Sequence, residues 1–539
     1  MAANTGEGWK NANLRTQFLK KLSKAGVTPW GRLFHSMRAS RQTELERDFP
    51  LHVVCSWLGN SPKVANRSYL LTTETDFEKA MSESGTESGT VNRRDNEKSG
   101  TFCGTVGSLN EPQAQEESPV NHRENVTFPK ELAVNSTDGE EAERIRLPYT
   151  GSDILRTPSG LDTLFLTWQT DPTSTILIQW IGPKGLNPGI QYSALSDSLW
   201  LNGLVVEKPY PGTELVVYRC HLSELKPETE YQFQIVGCSD ESFRFRTMPK
   251  KLTNTFQFVS GGDCATNSHA TSNNLNAAKQ DPHFVLLGGD LAYDDGRNPK
   301  TFARFLQNYR KCLVDTQGRL IPMISCIGNH EVQGGFLGTR EGAPSYLSVF
   351  DGLFSERTYG VLDFGDYMSV VLSDSGHIAP IVGEQTEWME HVLADRRERP
   401  HLIVANHVPA YTTSRTPPSE SGQNGPGAQQ RLHWCPLFEK YGVDFVLEHH
   451  DHTFKRTFPL VDGRKHKDGV VYLGDGSWGQ LNSVTDLEKR PYLAKVSESY
   501  HMSIHRLEGD QRFHIAMDEH GKIADVYLTR GKRVSTGGH

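Results

Sequence analysis

The sequence predicts an α/β sandwich with both sheet faces covered, preceded by an all-β sandwich, a disordered polar linker and a small basic helical head. Three observations carry this reading. After Pro249, short continuous apolar runs alternate with helix-spaced apolar residues; from Leu147 to Pro249 apolar residues recur with period two; and from Met81 to roughly Arg144 there is almost no apolar periodicity. At about 100–200 residues per domain, 539 residues predict roughly three units. The 36% hydrophobic content and mean hydropathy of −0.53 suit folded domains joined by polar chain.

No run approaches the roughly 18 apolar residues that a helical span requires, so no membrane partner is expected. Met1 to Lys24 is polar and basic, with no apolar core of the secretory kind. Eight cysteines lie between Cys55 and Cys435 with no CxxC, which argues against a disulfide scaffold or a cysteine zinc site. The net charge of −8 is uneven: residues 1–70 carry 11 Lys+Arg against 4 Asp+Glu, and residues 71–150 carry 8 against 16.

The basic head, residues 1–79, has helix-like spacing at Leu14, Phe18 and Leu22. His35-x-x-Arg38, Leu58-Gly59-Asn60 and Tyr69 resemble the C-terminal part of bacterial tyrosine recombinases. The resemblance implies phosphodiester cleavage by the Tyr69 hydroxyl with arginine donors on the developing charge. Asn60 stands where that family has histidine, and its further arginine and lysine have no counterpart here, so the head is read as a truncated remnant. Unspecific nucleic-acid affinity from its charge is the activity this leaves. Residues 80–146, rich in Ser, Thr, Gly, Asn and Glu, bury too little surface to offset their ordering entropy and are read as a disordered acidic linker.

Residues 147–250 hold the period-two runs. Leu164, Leu166 and Trp168 alternate in TLFLTW, and STILIQW, LVVYRCHL and YQFQIVG follow between turn residues. Such strands predict an antiparallel sandwich of about 100 residues with Trp168 in its core. Leu225-Lys-Pro-Glu-Thr-Glu-Tyr231 resembles the fibronectin type III signature, in which a tyrosine hydroxyl ties down the corner before a late strand.

Residues 251–539 supply the strand-like runs at 256–260, 284–288, 322–327, 368–374, 401–406, 444–448 and 469–474. Helical spacing appears at Phe302, Phe305, Leu306, Tyr309 and Leu313, and at Trp388, Val392 and Leu393. Five of these strands end in polar groups: Gly262-Asp263, Gly289-Asp290-Leu-Ala-Tyr293, Gly328-Asn329-His330-Glu331, His407, and His449-His450-Asp451-His452. Open α/β sheets bind ligands at the carboxyl ends of their strands. Each motif alone is weak; their order, each directly after an apolar strand, points to a metal site. Two Asp, one Asn, three His and one Tyr are too many for one tetrahedral zinc and suit two ions, which need a bridging anion when about 3.5–4 Å apart. Asp290, central in the order, is the natural bridge. A tyrosine of pKa about 10 ligates near neutral pH only beside a strong Lewis acid such as Fe(III).

The ordered set Asp263-x-Ala, Gly-Asp290-x-x-Tyr293, Gly-Asn329-His330-Glu331, Val404-x-x-His407 and His450-x-His452 resembles the purple acid phosphatases of the calcineurin-like metallophosphoesterase superfamily. The resemblance implies a four-layer αββα metallophosphoesterase sandwich. It also implies that Asp263, Tyr293 and His452 join Asp290 on Fe(III), while Asn329, His407 and His450 join Asp290 on a divalent Fe, Zn or Mn. Phosphate monoesters would be hydrolysed by a metal-bound hydroxide, with His330 as proton donor to the leaving group or hydrogen-bond donor to the phosphoryl group, and Glu331 orienting it. Three departures stand out: Ala265 replaces a glycine, His449 replaces another and either crowds the backbone or adds an imidazole, and Asp451 is an added charge behind the ligands. The loop from Thr412 to Gln430 lacks the substrate-gripping histidines frequent in the family, which makes Arg415 or Arg431 the candidate phosphate contacts.

The expected partner is a small phosphate ester. The alternatives are a Mn/Zn phosphodiesterase or nucleotidase of the same superfamily, a DNA-strand transferase working through Tyr69, and a non-catalytic binding protein, which the complete ligand set disfavours. The resemblance implies export, whereas this N-terminus carries no signal.

Overall fold

The computed structural model describes residues 149–531 apart from 352, 355 and 419–424, together with residue 24. The recombinase-like segment 1–79, with His35, Arg38 and Tyr69, and the linker 80–146 therefore lie outside the described residues, residue 24 apart.

Residues 165–246 form two four-stranded antiparallel sheets. The strands are β1 (Phe165–Thr167), β2 (Ile176–Pro183), β3 (Gly189–Ala194), β4 (Leu201–Gly203), β5 (Val205–Pro209), β6 (Leu215–Leu222), β7 (Glu230–Val236) and β8 (Ser242–Arg246). The sheet orders are β1-β2-β6-β5 and β4-β3-β7-β8. In β7 the expected alternation is plain: Tyr231, Phe233 and Ile235 are buried and the residues between them are not. The Tyr231 hydroxyl accepts the Lys226 N–H at 2.8 Å, fastening the corner ahead of β7.

β1 departs from simple alternation because both of its faces are covered. Trp168 meets Phe284 and Phe364 edge-on, with centroids 6.0 and 5.7 Å apart, so the sandwich is anchored by aromatic packing on the α/β part. Polar ties reinforce this seam. The Tyr210 hydroxyl donates to Pro299 O at 2.7 Å, Gln179 Nε2 donates to Val349 O at 2.8 Å, and Lys208 and Arg219 converge on Asp351 at 2.6 and 2.9 Å.

The α/β part holds β9 (Phe256–Gly261), β10 (Val285–Leu287), β11 (Met323–Ser325), β12 (Gly360–Phe364), β13 (Met368–Leu372), β14 (His401–Asn406), β15 (Phe445–Glu448), β16 (Phe454–Thr457), β17 (Leu460–Val461), β18 (Arg464–Lys465), β19 (Val471–Asp475), β20 (Leu493–Ser497), β21 (His501–Glu508), β22 (Gln511–Asp518) and β23 (Ile523–Arg530). Two mixed sheets dominate, β11-β10-β9-β21-β22-β23 and β12-β13-β14-β15-β19-β16-β20, with β17 and β18 a separate ribbon. All seven apolar runs are strands, and the two helical spacings fall on helices Pro299–Cys312 and Glu384–Arg396.

The second sheet sorts its side chains by strand parity. Val370, Leu372, Ile403, Ala405, Phe445, Leu447, Val471 and Leu473 join the core shared with the first sheet. Val371, Val404, Val446 and Tyr472 join a separate core with Met389, Leu393 and Phe438 from the covering helices and Trp434 from the junction between two of them. β9, β10 and β11 run parallel, as do β13, β14 and β15. Their carboxyl ends therefore open in common directions, and the five polar motifs follow them.

Candidate metal centre

The site is built from the turns that leave β9, β10, β11, β14 and β15. Asp263, Ala265, Asp290, Tyr293, Asp295, His450 and His452 all hold φ between +52° and +66°, a region side chains other than glycine avoid. Each such residue costs on the order of 1–3 kcal/mol, and such strain concentrates where a site demands it. Ala265, at φ +54°, occupies the conformation a glycine would take without strain.

The seven expected donors converge as two triads about one carboxylate. In the first, His452 Nε2 lies 2.9 Å from Asp263 Oδ1, and the Tyr293 hydroxyl lies 3.3 Å from that oxygen and 3.2 Å from His452 Nε2. In the second, His407 Nε2 lies 3.1 Å from Asn329 Oδ1 and 3.0 Å from His450 Nδ1. Asp290 Oδ2 stands 3.2 Å from His407 Nε2. Ligand atoms of Asp263, Asp290, His407 and His450 all lie within 4.8 Å of one another.

The chemistry of these atoms fits a cation better than it fits the atoms alone. His407 Nδ1 donates to Gly288 O at 2.8 Å, which commits its one neutral-state proton there and turns the lone pair of Nε2 toward the Asn329 and Asp290 oxygens. One oxygen of each aspartate is already satisfied by backbone: His330 N–H donates to Asp290 Oδ1 and His450 N–H to Asp263 Oδ2, both at 2.8 Å. Asp290 Oδ2, buried, receives no well-directed hydrogen bond. Acceptors crowded so closely repel unless a positive charge sits among them.

The electrostatics agree. Burial would raise Asp290, but the His407 and His330 rings outweigh it and hold it well below the ordinary carboxylate range. Burial opposes charge on His407, yet Asp290 and Asp263 lift it to about 9. Burial and then Asp263 and Asp290 push Tyr293 far above 10, so a phenolate there requires a strong Lewis acid beside it.

His330 sits at the rim, its side chain 28% exposed, with Nε2 3.9 Å from Asp290 Oδ2. Its Nδ1 is 2.5 Å from Asp295 Oδ1. Burial lowers His330, but Asp290 and then Asp295 prevail and raise it to about 9. Asp295, and not Glu331, is therefore the carboxylate bonded to the His330 Nδ1. Glu331 is instead buried and accepts N–H bonds from Gly328, Asp290 and Leu291 at 2.8, 2.8 and 2.7 Å. It staples the β10 turn to the β11 turn; burial and Asp290 raise it to about 7.

The remaining expectations divide. Asp451 accepts from the Thr413 N–H and, at 3.0 Å, from its hydroxyl, so it braces the following loop from behind. Arg415 is at the site: Nη2 donates to His450 O at 3.1 Å and Nε lies 3.3 Å from Asp451 Oδ1. Arg431 is not. Its guanidinium caps Ala410 O and lines a small cavity with Tyr411, Cys435 and Glu439, because the helix Pro426–His433 carries it there.

His449 adds no ligand to the cluster. A Cβ on Gly288 would fall 1.7 Å from His449 Cδ2, and one on Gly262 2.8 Å from its Nδ1. Two glycines therefore make the niche that admits this ring. Gly288→Ala is expected to destabilise the fold by about 1–3 kcal/mol through overpacking. Gly288→Ala with His449→Gly should recover most of that loss in chemical denaturation; an additive double mutant would contradict the fit.

Four further residues escaped the sequence. Asp295 lies two positions beyond Tyr293, the only local hint of its role. Asn482 holds His452 at both ends, donating its side-chain Nδ2–H to the ring Nδ1 at 3.1 Å and its backbone N–H to His452 O at 2.9 Å. His377 lies beside His407, with ring centroids 5.4 Å apart, and Phe336 lies beside His377 at 4.9 Å. Nothing local marks these three.

Residues 256–454 match the calcineurin-like phosphoesterase family model. Purple acid phosphatase 21 of Arabidopsis thaliana is 26% identical over 341 residues, 60% of this chain and 74% of that protein. Acid phosphatase type 7 of Homo sapiens is 25% identical over 434 residues, 72% of this chain and 91% of that protein. The solved purple acid phosphatase PPD1 from yellow lupin (Lupinus luteus) seeds shares the fold, with a TM-score of 0.56, 16% identity, and 68% and 74% of the two chains covered.

Proposed function

We propose that this chain, which carries a calcineurin-like phosphoesterase domain and has purple acid phosphatase homologues, is a dimetal acid phosphatase hydrolysing phosphate monoesters. The observation that carries this reading is the pair of donor triads meeting at Asp290. Asp263, Tyr293, His452 and Asp290 would hold Fe(III); Asn329, His407, His450 and Asp290 would hold a divalent Fe, Zn or Mn. When bound, the two cations supply Lewis acidity that neutralises phosphate charge and acidifies water.

The residues of the chain perform the rest. Arg415, partly exposed at the rim, offers a guanidinium to the phosphoryl oxygens. As a water oxygen attacks phosphorus, the bond to the ester oxygen breaks and its electron pair leaves with that oxygen. His330 Nε2 gives this oxygen a proton, and the proton shed by the attacking water restores the imidazolium. Asp295 keeps the ring turned for the transfer. Alcohol and inorganic phosphate leave. Residues 147–250 form a fibronectin III-like module that buttresses the catalytic part, 251–539, and residues 1–79 and 80–146 take no part in the chemistry.

Iron-reconstituted protein should absorb in the visible through charge transfer from Tyr293, and Tyr293→Phe should abolish the band with the metals retained. A colourless active enzyme that prefers diesters would favour the phosphodiesterase alternative.

A further inference from the structure

The buried donors Asp263, Asp290, His407 and His450 form the floor of the site, whereas its rim is built by the partly exposed donors Tyr293, Asn329 and His452, by His330 and Arg415, and by one apolar ring, Phe336. Phe336 belongs to Gly334-Gly335-Phe336-Leu337-Gly338, which follows the Asn329–Glu331 turn. Its ring meets His450 edge-on, with centroids 6.4 Å apart at 86°, and leans on His377 at 4.9 Å. Gly334, Gly335 and Leu337 have φ of +88°, +82° and +51°. This unusual run of left-handed residues turns Phe336 toward the donors and leaves Leu337 56% exposed beside it.

The loop is fixed in that posture. Leu337 and Gly338 donate their N–H groups to Gly376 O and His377 O at 3.0 and 2.8 Å. His377 Nδ1 donates to Gly335 O at 2.9 Å, and its Nε2 accepts from the Ser375 hydroxyl at 3.1 Å. Three of these bonds and one strained residue, Leu337, fix a loop that presents the apolar Phe336 ring at the edge of a charged site. An exposed apolar platform there has a use if part of the substrate is apolar.

We infer that Phe336 is a specificity-determining platform that selects phosphate monoesters whose leaving group is aromatic or apolar over those of polyhydroxylic alcohols. The inference rests on the phosphatase reading and deepens it. Phe336 touches the alcohol portion and not the phosphoryl group, so its contribution should appear with one class of ester and vanish with the other.

The test compares phenyl phosphate with glycerol 2-phosphate on the metal-loaded full chain, and phenylphosphonate with methylphosphonate as ligands that are not turned over. Phe336→Ala should lower kcat/KM for phenyl phosphate about fivefold and leave glycerol 2-phosphate unchanged, as loss of one aromatic contact predicts. It should weaken phenylphosphonate by a similar factor in calorimetry while methylphosphonate binds as before, and Phe336→Tyr should retain the wild-type preference. Equal losses for both esters, or equal phosphonate affinities in the wild type, would overturn the platform while leaving the phosphatase reading intact. Phosphonate discrimination without turnover of either ester would instead retain the platform and overturn the phosphatase reading.

Discussion

Asp290→Ala is expected to release both cations and to lower phosphatase activity at least about 10³-fold. Asp290 is the one carboxylate between the two donor triads: its Oδ2 faces His407 Nε2 at 3.2 Å, and it shares a 4.8 Å cluster with Asp263 and His450. Removing it leaves an amide and two imidazoles on one side and a single carboxylate with a phenol and an imidazole on the other. The same change strips the partner from the His330 N–H, which bonds Asp290 Oδ1 at 2.8 Å, so the β11 turn should loosen as well. Asp290→Asn separates the two effects, because it keeps the acceptor for that N–H and loses the bridging charge. Metal analysis of both variants should read near zero, and full retention of one ion in Asp290→Asn would limit Asp290 to a single triad.

His330→Ala should act differently, keeping both ions and the visible band while slowing turnover about 10²–10⁴-fold, the range for a lost proton donor. No donor triad depends on its ring, which stands at the rim with Nε2 3.9 Å from Asp290 Oδ2. Asp295→Asn should cost less, roughly tenfold, because it acts through the ring it orients. The two substitutions should be non-additive when combined, since removing the ring leaves Asp295 nothing to orient. Esters with good leaving groups should be spared by both variants. Equal slowing for good and poor leaving groups would remove His330 from proton transfer.

Legibility differed by feature. The seven strands were readable because two covered faces make each a continuous apolar run, and the cluster of Asp263, Asp290, His407 and His450 because each stands in the turn that leaves such a run. β22 and β23 alternate polar with apolar residues and did not register as part of the first sheet, although their pairing with β21 extends it. Glu331 read as a candidate orienting carboxylate, yet its burial beneath three N–H groups of adjoining turns is a tertiary fact. Asp295 and Asn482 meet their histidines across 35 and 30 residues, and no local pattern announces such meetings. Arg431 failed as a phosphate contact because sequence proximity to His407 says nothing about which way the intervening chain turns. The substitution of His449 for glycine became intelligible only once Gly262 and Gly288 were seen to make room for it.

The central claim is that two cations share Asp290, one of them ferric and held by Tyr293. Its most direct test is the metal content of the full-length chain after iron and zinc reconstitution and exhaustive dialysis. Two ions per chain, one of them iron, is the result the account requires; a chain that retains none contradicts it.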